Sequence, residues 1–418
     1  MRKIWCIIGM LMLLGLTVTS AAEITITHLT YTHHGEKYHE YLISKAEEFN
    51  KLNPGMRVEV IIGLHDKFQT MLVGGVPPDV VDLPDFLHLG PAGQLVDIYP
   101  LLERDGLLRN YNPLVLQAMS SAAGAIYSMP FELSMFVTYF NRELFNLAGL
   151  VTPDHLGAEW TWDAVIQNSR KLTIDGNADG TPEIFGFDRA TGAGWRNAVY
   201  QAGGKFYEFD DAMRPVKSLW NSAEVLAGIS WNETFFRERI TPTYSVPDPS
   251  VYYFWNGKTA IDVQDQLGII GNQLKDAPID WDIMLLPRGP AGPLTMGGGS
   301  GPHLLADGKN LEAAWAWVKF YAGTKENVER WMQLTGRMTC LLAAQPSYVN
   351  LLGIRDKNVG RIFEQSNYLA PIESAYPLPN ELNPRRISLE TIWRGTQPVS
   401  ARLEEIHQQT TAFMRDHF

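Results

Sequence analysis

The hydrophobic pattern beyond the first two dozen residues opens with a strand, a helix and a second strand. Residues 23–31 alternate β-branched and polar side chains, which predicts a half-buried strand. Apolar residues at positions 38, 42, 46 and 49 recur at helical spacing and predict a helix over residues 38–49. A turn at residues 53–55 separates this helix from a second predicted strand at residues 57–62. The opening is therefore a β-α-β unit.

Strand and helix patterns continue to alternate after this unit. A second helix is predicted at residues 66–73, and residues 79–82 have the short apolar pattern of a buried strand. Neither an internal repeat nor a low-complexity tract interrupts the sequence. This order favours an α/β fold built on open, mainly parallel sheets.

Three helical stretches are predicted in the later part of the chain. Thr161 is placed to cap a helix that opens at residues 160–163, where acidic Asp163 suits the positive end of the helix dipole. Residues 311–334 form a long apolar stretch, which we interpret as two helices broken near Gly323 and stopped at Gly336. A last helix is predicted at residues 399–413. Because the sequence contains no obvious linker, we expect the chain to cross between domains inside secondary structure.

The first 22 residues have the pattern of a secretory signal peptide. A positive start at residues 2–3 precedes an apolar run at residues 4–18, and small residues follow at positions 19–22. The run is shorter than the roughly 20 apolar residues that a membrane span needs. We therefore expect export and cleavage after Ala21 or Ala22.

Charge and length narrow the class of protein. Without the signal peptide, 33 basic residues face 46 acidic ones, which is a net charge of −13. This charge repels nucleic-acid phosphates, so we expect no nucleic-acid partner. About 395 residues remain, which is enough for two domains of ordinary size.

The two cysteines carry different information. Cys6 lies at the front of the apolar run, whereas a lipid-modified cysteine follows the small residues at its end. We therefore do not expect a lipoprotein. Cys340 is the only cysteine beyond the signal peptide, so no intramolecular disulfide can form, and stability must come from the hydrophobic core.

Eleven short motifs follow one another along the chain. They are residues 49–55 (FNKLNPG), 57–60 (RVEV), 74–80 (GGVPPDV), 93–97 (GQLVD), 126–130 (IYSMP), 139–145 (YFNRELF), 161–163 (TWD), 201–204 (QAGG), 256–261 (NGKTAI), 286–290 (LPRGP) and 313–315 (AAW). In type and order they resemble the motifs of the family-1 extracellular solute-binding proteins of bacterial ABC importers, the group that includes maltose-binding protein. Each motif is short, but the collinear order covers almost the whole chain.

The resemblance implies an α/β fold of the two-lobed periplasmic-binding-protein kind (type II), with the ligand cleft between lobes. It places residues 23–135 and 282–322 in an N-terminal lobe, and residues 136–281 and 323–418 in a C-terminal lobe. It implies a soluble periplasmic protein, which we expect to be a monomer, that closes on a mono- or oligosaccharide and delivers it to ABC transporter permease subunits. It implies neither a cofactor nor an enzymatic activity.

Most ligand-binding candidates follow from the rule that ligands of open α/β sheets lie beyond the carboxyl ends of the strands, as Asp265 and Gln266 follow a predicted strand at residues 260–264. The resemblance adds Glu132 and Ser134, because it places them where the chain first crosses between the lobes. Carboxylates, amides and hydroxyls at these places suit sugar hydroxyls, which both donate and accept hydrogen bonds. The polar candidates are Tyr31, His33, His34, Asp85, Glu132, Ser134, Asp265, Gln266, Gly298, Gly299, Ser300 and Arg337. Alternatives stay open: Asp85 and Glu132 equally suit ion pairs or solvated positions, and Arg337 equally suits a helix-end cation.

Aromatic rings supply the second kind of sugar contact, because the C–H faces of sugars are apolar. Trp195 is the first candidate, since neighbouring glycines indicate a loop, and the resemblance places it with Arg196 in a ligand-contacting segment. Simple loop packing is the alternative for Trp195. Leu267 stands where the family often has a sugar-stacking tryptophan, so the resemblance does not identify the sugar. The lesser candidates are Trp231, Trp255 and Tyr376, whereas helical spacing predicts core positions for Trp315, Trp317 and Trp331.

Residues 175–180 match the first half of an EF-hand calcium loop. Asp175, Asn177 and Asp179 stand at ligand positions one, three and five, and Glu183 stands at position nine. Position twelve is Gly186, not the bidentate glutamate that the loop requires. We favour a plain turn, with a calcium site as the alternative.

Other chemistries receive less support from the sequence. A zinc site at His28, His33, His34 and His39 lacks an established ligand spacing. A glycoside hydrolase needs a carboxylate pair, which 46 acidic residues neither indicate nor exclude. Binders of the same fold for a polyamine or a glycerol phosphodiester are further alternatives. A polyamine would require several acidic residues in the cleft, and a phosphate ester would require arginine or lysine.

Overall fold

The computed structural model describes residues 23–82, 89–121, 123–210, 214–370 and 378–417. The predicted signal peptide and the candidates Asp85 and Tyr376 lie outside these residues. No helix in the described ranges is both long and apolar enough to cross a membrane.

The strands of the described chain are short. In chain order they are β1 (Ile24–Tyr31), β2 (Met56–Gly63), β3 (Val80–Val81), β4 (Glu132–Met135), β5 (Thr138–Asn141), β6 (Phe185–Phe187), β7 (Tyr207–Phe209), β8 (Pro215–Ser218), β9 (Thr259–Asp262), β10 (Trp281–Met284), β11 (Thr295–Ser300), β12 (His303–Leu304) and β13 (Leu369–Ala370).

The helices range from a single turn to five turns. In chain order they are α1 (Glu36–Leu52), α2 (His65–Val73), α3 (Tyr99–Arg104), α4 (Pro113–Met119), α5 (Arg142–Leu147), α6 (Pro153–Leu156), α7 (Trp162–Leu172), α8 (Trp195–Gln201), α9 (Ala223–Arg237), α10 (Gly268–Asn272), α11 (Leu311–Gly323), α12 (Lys325–Thr335), α13 (Tyr348–Leu351), α14 (Gly360–Gln365), α15 (Glu390–Trp393) and α16 (Val399–His417).

The first sheet has the strand order β12-β3-β1-β2. Strands β1 and β2 pair in parallel along their full length, and β1 also pairs in parallel with β3. Helix α1 joins β1 to β2, which confirms the predicted β-α-β opening. Strand β12 closes this sheet with an antiparallel pairing to β3.

The second sheet has the order β10-β5-β9-β6, and its pairing is mixed. Only β6 and β9 are parallel, whereas β5 runs antiparallel to both β9 and β10. This differs from the mainly parallel pairing predicted for every sheet. Strand β5 enters the sheet two residues after β4, without the helical crossover that makes successive strands parallel.

Two strands of a third sheet carry the chain between the first two sheets. Strand β4 leads directly into β5 of the second sheet, and β11 leads directly into β12 of the first. Within this sheet β4 and β11 pair antiparallel, and β13 joins β11. The chain therefore crosses inside secondary structure, as predicted.

The later helices confirm the predicted pattern. Thr161 is the N-cap of α7, and its hydroxyl accepts a hydrogen bond from the Ala164 amide at 3.3 Å. The long apolar stretch forms α11 and α12, which break between Gly323 and Lys325. Gly336 ends α12 with a φ of 69°, the left-handed conformation that glycine adopts without strain.

Each of the two large sheets has its own packing partners. Helices α1, α11 and α12 pack together beside the first sheet, and a second cluster fills the space around α7, α8, α9 and the second sheet. Trp315, Trp317 and Trp331 are at most 1% exposed in the first of these clusters, as their spacing predicted.

The boundaries of the two lobes stay a prediction. Helix α12, which that prediction placed in the C-terminal lobe, packs against α1.

Candidate functional site

A cleft of about 550 Å³ lies where the second sheet meets the third. Its volume is within the usual range for small-molecule sites, roughly 300–1,000 Å³. Most of its lining is polar. The lining residues are Glu132, Leu133, Ser134, Thr191, Gly192, Ala193, Trp195, Arg196, Gln264, Asp265, Gln266, Gly268, Ile269, Asn272, Gln273, Arg337, Met338 and Arg385.

Glycines hold one wall of the cleft against the next. A Cβ on Gly194 would lie 2.3 Å from the carbonyl oxygen of Val263, and one on Gly192 would lie 2.6 Å from the Cβ of Gln264. Because neither glycine carries a side chain, the loop before α8 packs directly on the chain that leaves β9. The loop's Gly194 amide donates a hydrogen bond to the carbonyl of Gln264 at 3.2 Å.

A second close backbone approach brings Arg337 to the cleft. Gly336, at the end of α12, meets Gly271 of α10, where a Cβ would lie 2.3 Å from the Gly336 Cα. Arg337 follows immediately, and its guanidinium contacts the Glu132 carboxylate at 2.9 Å. This ion pair joins α12 to the crossing strand β4.

The structure brings seven of the predicted site residues into one cleft. These are Glu132, Ser134, Trp195, Arg196, Asp265, Gln266 and Arg337. His34 and Ser300 line a smaller adjoining pocket, which also includes Glu132 and Arg337. Ligand contact by any of these residues stays a prediction.

Other candidates lie elsewhere. Tyr31 is fully buried and stacks on the exposed ring of His33 with a centroid distance of 5.7 Å. Gly298 and Gly299 pair with β4, and a Cβ on Gly299 would lie 2.2 Å from the Met119 sulfur, which gives this glycine a packing role.

Two tryptophan candidates also lie away from the cleft lining. Trp231 is 8% exposed and stacks on Trp162 at 5.1 Å in the hydrophobic core. Trp255 is half-buried and stacks on Tyr253 at 4.6 Å, with the Arg189 guanidinium 5.6 Å from its ring.

Trp195 lines the cleft, but it is not in a loop as predicted. It is the first residue of α8, and its half-buried ring meets the edges of Phe206 and Trp393. The neighbouring glycines that suggested a loop serve the close approach to β9 instead. The Trp195 side chain therefore lines the cleft and also packs against neighbouring aromatic rings.

The sequence interpretation missed several lining residues, of which Gln264 is the most buried polar one at 1% exposure. Residues 260–264 were read as a strand, but β9 ends at Asp262, so Gln264 lies just beyond a strand end. The strand-end rule would have found it with the correct boundary. Thr191 and Arg385 lie in irregular segments and carried no such signal.

Three aspartates cluster beside the cleft at the ends of β6 and β9, and one of them, Asp265, lines it. Oxygen atoms of Asp188, Asp262 and Asp265 lie within 4.8 Å of one another. Arg189 forms ion pairs with Asp265 and, at 3.5 Å, with Asp188. Burial, opposed by Arg189 and reinforced by Asp265, raises the pKa of Asp188 to about 7. Burial and the neighbouring carboxylates also raise the pKa of Asp262 well above its ordinary value.

Asp82, after β3 in the first sheet, has the opposite electrostatics. Tyr38 donates a hydrogen bond to it at 2.8 Å, and His28 Nε2 lies 3.1 Å from the same oxygen. The Trp317 indole donates to His28 Nδ1, which directs the other ring nitrogen at Asp82. Burial favours a raised pKa for Asp82, but His28, His34 and Tyr38 outweigh it and lower the pKa to about 2.

The candidate calcium loop is an exposed connection between α7 and β6. Both oxygens of Asp175 accept hydrogen bonds from backbone amides, of Asp179 at 3.2 Å and Gly180 at 2.9 Å. Asn177 accepts from the Asp179 amide, and Glu183 from that of Gly176. These bonds account for the turn without an ion, and the calcium alternative stays untested.

Comparison with known proteins gives a family and a fold. Residues 35–328 match the family described as bacterial extracellular solute-binding protein. No curated protein sequence matches the chain.

An ABC substrate-binding protein of Listeria monocytogenes, in complex with cycloalternan, shares 20% identity, with a TM-score of 0.70 and coverage of 94% of this chain and 99% of that one. The sugar-binding protein MalE of Xanthomonas citri shares 16% identity, with a TM-score of 0.76 and coverage of 94% and 98%. A cyclo/maltodextrin-binding protein complexed with maltotetraose shares 17% identity, with a TM-score of 0.75 and coverage of 95% and 99%. The similarity confirms the two-lobed fold, and the sequence match identifies the chain as a member of the bacterial extracellular solute-binding protein family.

Proposed function

We propose that this protein is the substrate-binding component of an ABC sugar importer. It captures a mono- or oligosaccharide in the cleft and delivers it to the membrane permease. The observation that carries the proposal is the cleft lining, which combines the half-exposed indole of Trp195 with amide, hydroxyl and guanidinium groups. A ring for the C–H face of a sugar and hydrogen-bonding groups for its hydroxyls are the two contacts that a saccharide requires.

We further propose the periplasm as its compartment, with residues 1–22 as a cleaved signal peptide. Similar folds hold cycloalternan and maltotetraose, which supports a saccharide over other solutes. The charges of the cleft lining also favour a saccharide over a polyamine. Three arginines line the cleft against two carboxylates, and Arg337 and Arg189 already compensate Glu132 and Asp265.

Binding without catalysis is part of the proposal. A glycoside hydrolase needs one carboxyl group as an acid and a second as a base or nucleophile. In the described cleft lining, each carboxylate is held in an ion pair with arginine, which favours a fixed charge over a proton-transferring group.

Thermal unfolding with a panel of ligands tests the function. The panel contains maltose, maltotetraose, mannobiose, tagatose, a polyamine and a glycerol phosphodiester. A ligand that binds only the folded state stabilises it by about 2.7 kcal/mol at a hundredfold excess over Kd. We expect a higher melting temperature with at least one sugar and unchanged sugar on chromatography. A response to the phosphodiester or the polyamine alone, or hydrolysis of the sugar, would overturn the proposal.

Replacement of Trp195 tests the location. Trp195→Ala removes the ring that stacks on the sugar, and we expect about tenfold weaker binding by calorimetry with little change in folding. Trp255→Ala is the matched control, because Trp255 is also half-buried but does not line the cleft. Equal affinities for the Trp195 variant and the unchanged protein would place the site elsewhere.

We propose that closure of the two lobes accompanies binding. A ligand shifts such an equilibrium only if it binds the closed form more tightly than the open form. Small-angle scattering with saturating sugar should give a smaller radius of gyration than scattering without it. An unchanged radius with the sugar bound would rule out this closure.

A further inference from the structure

Buried glutamines in this protein fall into two kinds. Gln365 is fully buried, and its amide oxygen accepts from the Leu286 amide at 2.8 Å while its amide nitrogen donates to the Pro293 carbonyl at 2.7 Å. Gln264 is 1% exposed, yet neither its amide oxygen nor its amide nitrogen has a hydrogen-bond partner in the protein. The two residues share type and burial but not pairing.

An unpaired buried amide is costly. More than about 90% of buried polar groups in proteins are hydrogen-bonded, and each one that is not costs about 1–3 kcal/mol. Two further oxygens near Gln264 also lack a hydrogen-bond partner: Oδ2 of Asp262, and Oε1 of Gln273, which lines the same cleft. The unpaired amide atoms of Gln264 and Gln273 in the cleft lining indicate partners that come from outside the protein.

The backbone of Gln264 is fixed while its side-chain amide is not. Its amide N–H donates to Asp262 Oδ1 at 2.7 Å, and its carbonyl accepts from Gly194. Because the side-chain amide makes no hydrogen bond to the protein, its rotation into the cleft breaks none.

The amide group has a defined chemical preference. It presents an N–H donor and a C=O acceptor side by side, which matches two neighbouring hydroxyls of a sugar ring, one accepting and one donating. We infer that Gln264 binds a pair of adjacent ligand hydroxyls in the cleft and thereby selects sugars that present such a pair. This inference rests on the proposed function.

The replacement Gln264→Met tests the inference, because methionine keeps the length of the side chain and removes both polar atoms. We expect about tenfold weaker binding of whichever panel sugar the unchanged protein binds best. We also expect a melting temperature without ligand that is equal or higher, since an unpaired polar group has been removed. Gln365→Met is the control, and should lower the melting temperature because it leaves the Leu286 amide without its partner.

Analogues of the same sugar that lack one hydroxyl locate the contact. The unchanged protein should lose affinity for two neighbouring deoxy positions, and Gln264→Met should bind these analogues and the parent sugar equally. If the variant binds the parent sugar as tightly as the unchanged protein, or fails to fold, the amide has no such role. If the unchanged protein binds no sugar of the panel, the proposed function itself fails.

Discussion

Both halves of the molecule bury carboxylates at the carboxyl ends of their strands, but they compensate them differently. In the first sheet, one carboxylate, Asp82, is surrounded by the His28 ring and by the hydroxyls of Tyr38 and Tyr321. In the second, Asp188, Asp262 and Asp265 share the single guanidinium of Arg189. The pKa of Asp82 is lowered as a result, whereas the pKa values of Asp188 and Asp262 are raised.

The difference is one of compensation: Asp82 has several polar partners, whereas the aspartates of the second sheet have few. A buried charge that the protein fully solvates fixes neighbouring side chains and stabilises the fold. Buried polar atoms with too few partners cost stability, and proteins concentrate them where function requires them. The less compensated group includes Asp265, which lines the cleft beside Gln264, and we expect ligand binding on that side.

The largest expected effect is a loss of stability when the charge of the buried carboxylate Asp82 is removed. Asp82→Asn removes the charge that holds the His28 ring and the Tyr38 hydroxyl, and should lower the free energy of unfolding by about 3 kcal/mol or more in urea denaturation. Asp105→Asn is the control, since Asp105 has several partners but lies near the surface, and should cost about 1 kcal/mol or less. Equal losses of unfolding free energy in the two variants would mean that the buried and the surface carboxylate contribute equally to stability.

A steric change at the cleft should have the next largest effect. Gly194→Ala places a Cβ against the Val263 carbonyl, so the loop before α8 must shift away from β9. We expect a loss of about 1–3 kcal/mol in stability, together with weaker sugar binding. Gly360→Ala, which meets open space near the start of α14, should be neutral. An unchanged affinity for the Gly194 variant would mean that the loop does not position the ligand.

The two groups should also differ in the sign of their contribution to the pH dependence of stability. Asp188 has a raised pKa in the folded state, so the folded protein holds a proton that the unfolded chain releases, and stability falls as pH rises from about 4 to about 7. Asp82 has a lowered pKa, so its contribution is present above about pH 4 and is lost as pH falls toward about 2.

Unfolding titrations across this pH range test the difference. Asp188→Asn should flatten the decline between pH 5 and 7, by about 1.4 kcal/mol for each unit of pKa shift removed. Asp82→Asn should leave that decline intact and flatten the acid limb instead. If Asp82→Asn flattened the decline between pH 5 and 7, and Asp188→Asn flattened the acid limb, the comparison of the two groups would be wrong.

The helices and the first sheet could be predicted from the sequence because their periodicity is local. The spacing of residues 38–49 set α1, and the left-handed Gly336 set the end of α12. The pairing of the second sheet could not be predicted in this way. Its direction depends on how β5 is entered from β4, which is a property of the tertiary fold.

The site was predictable where it follows strand ends. Asp265 and Gln266 were found by that rule and Glu132 by the family resemblance, whereas Gln264 was missed because the end of β9 was placed two residues late. Trp231 lies outside the cleft lining for a different reason. Its neighbours Trp162 and Phe187 come from distant parts of the chain, and they bury a ring that its local sequence left ambiguous.

Hydrogen–deuterium exchange with and without the best-bound sugar tests the central claim most directly, because it reports where ligand protects the backbone. We expect slower exchange in the segments at residues 189–197 and 262–273, which carry the cleft loops and α10. We expect little change around Asp82, whose partners are already in place. Protection confined to the first sheet, with none at residues 262–273, would contradict the account.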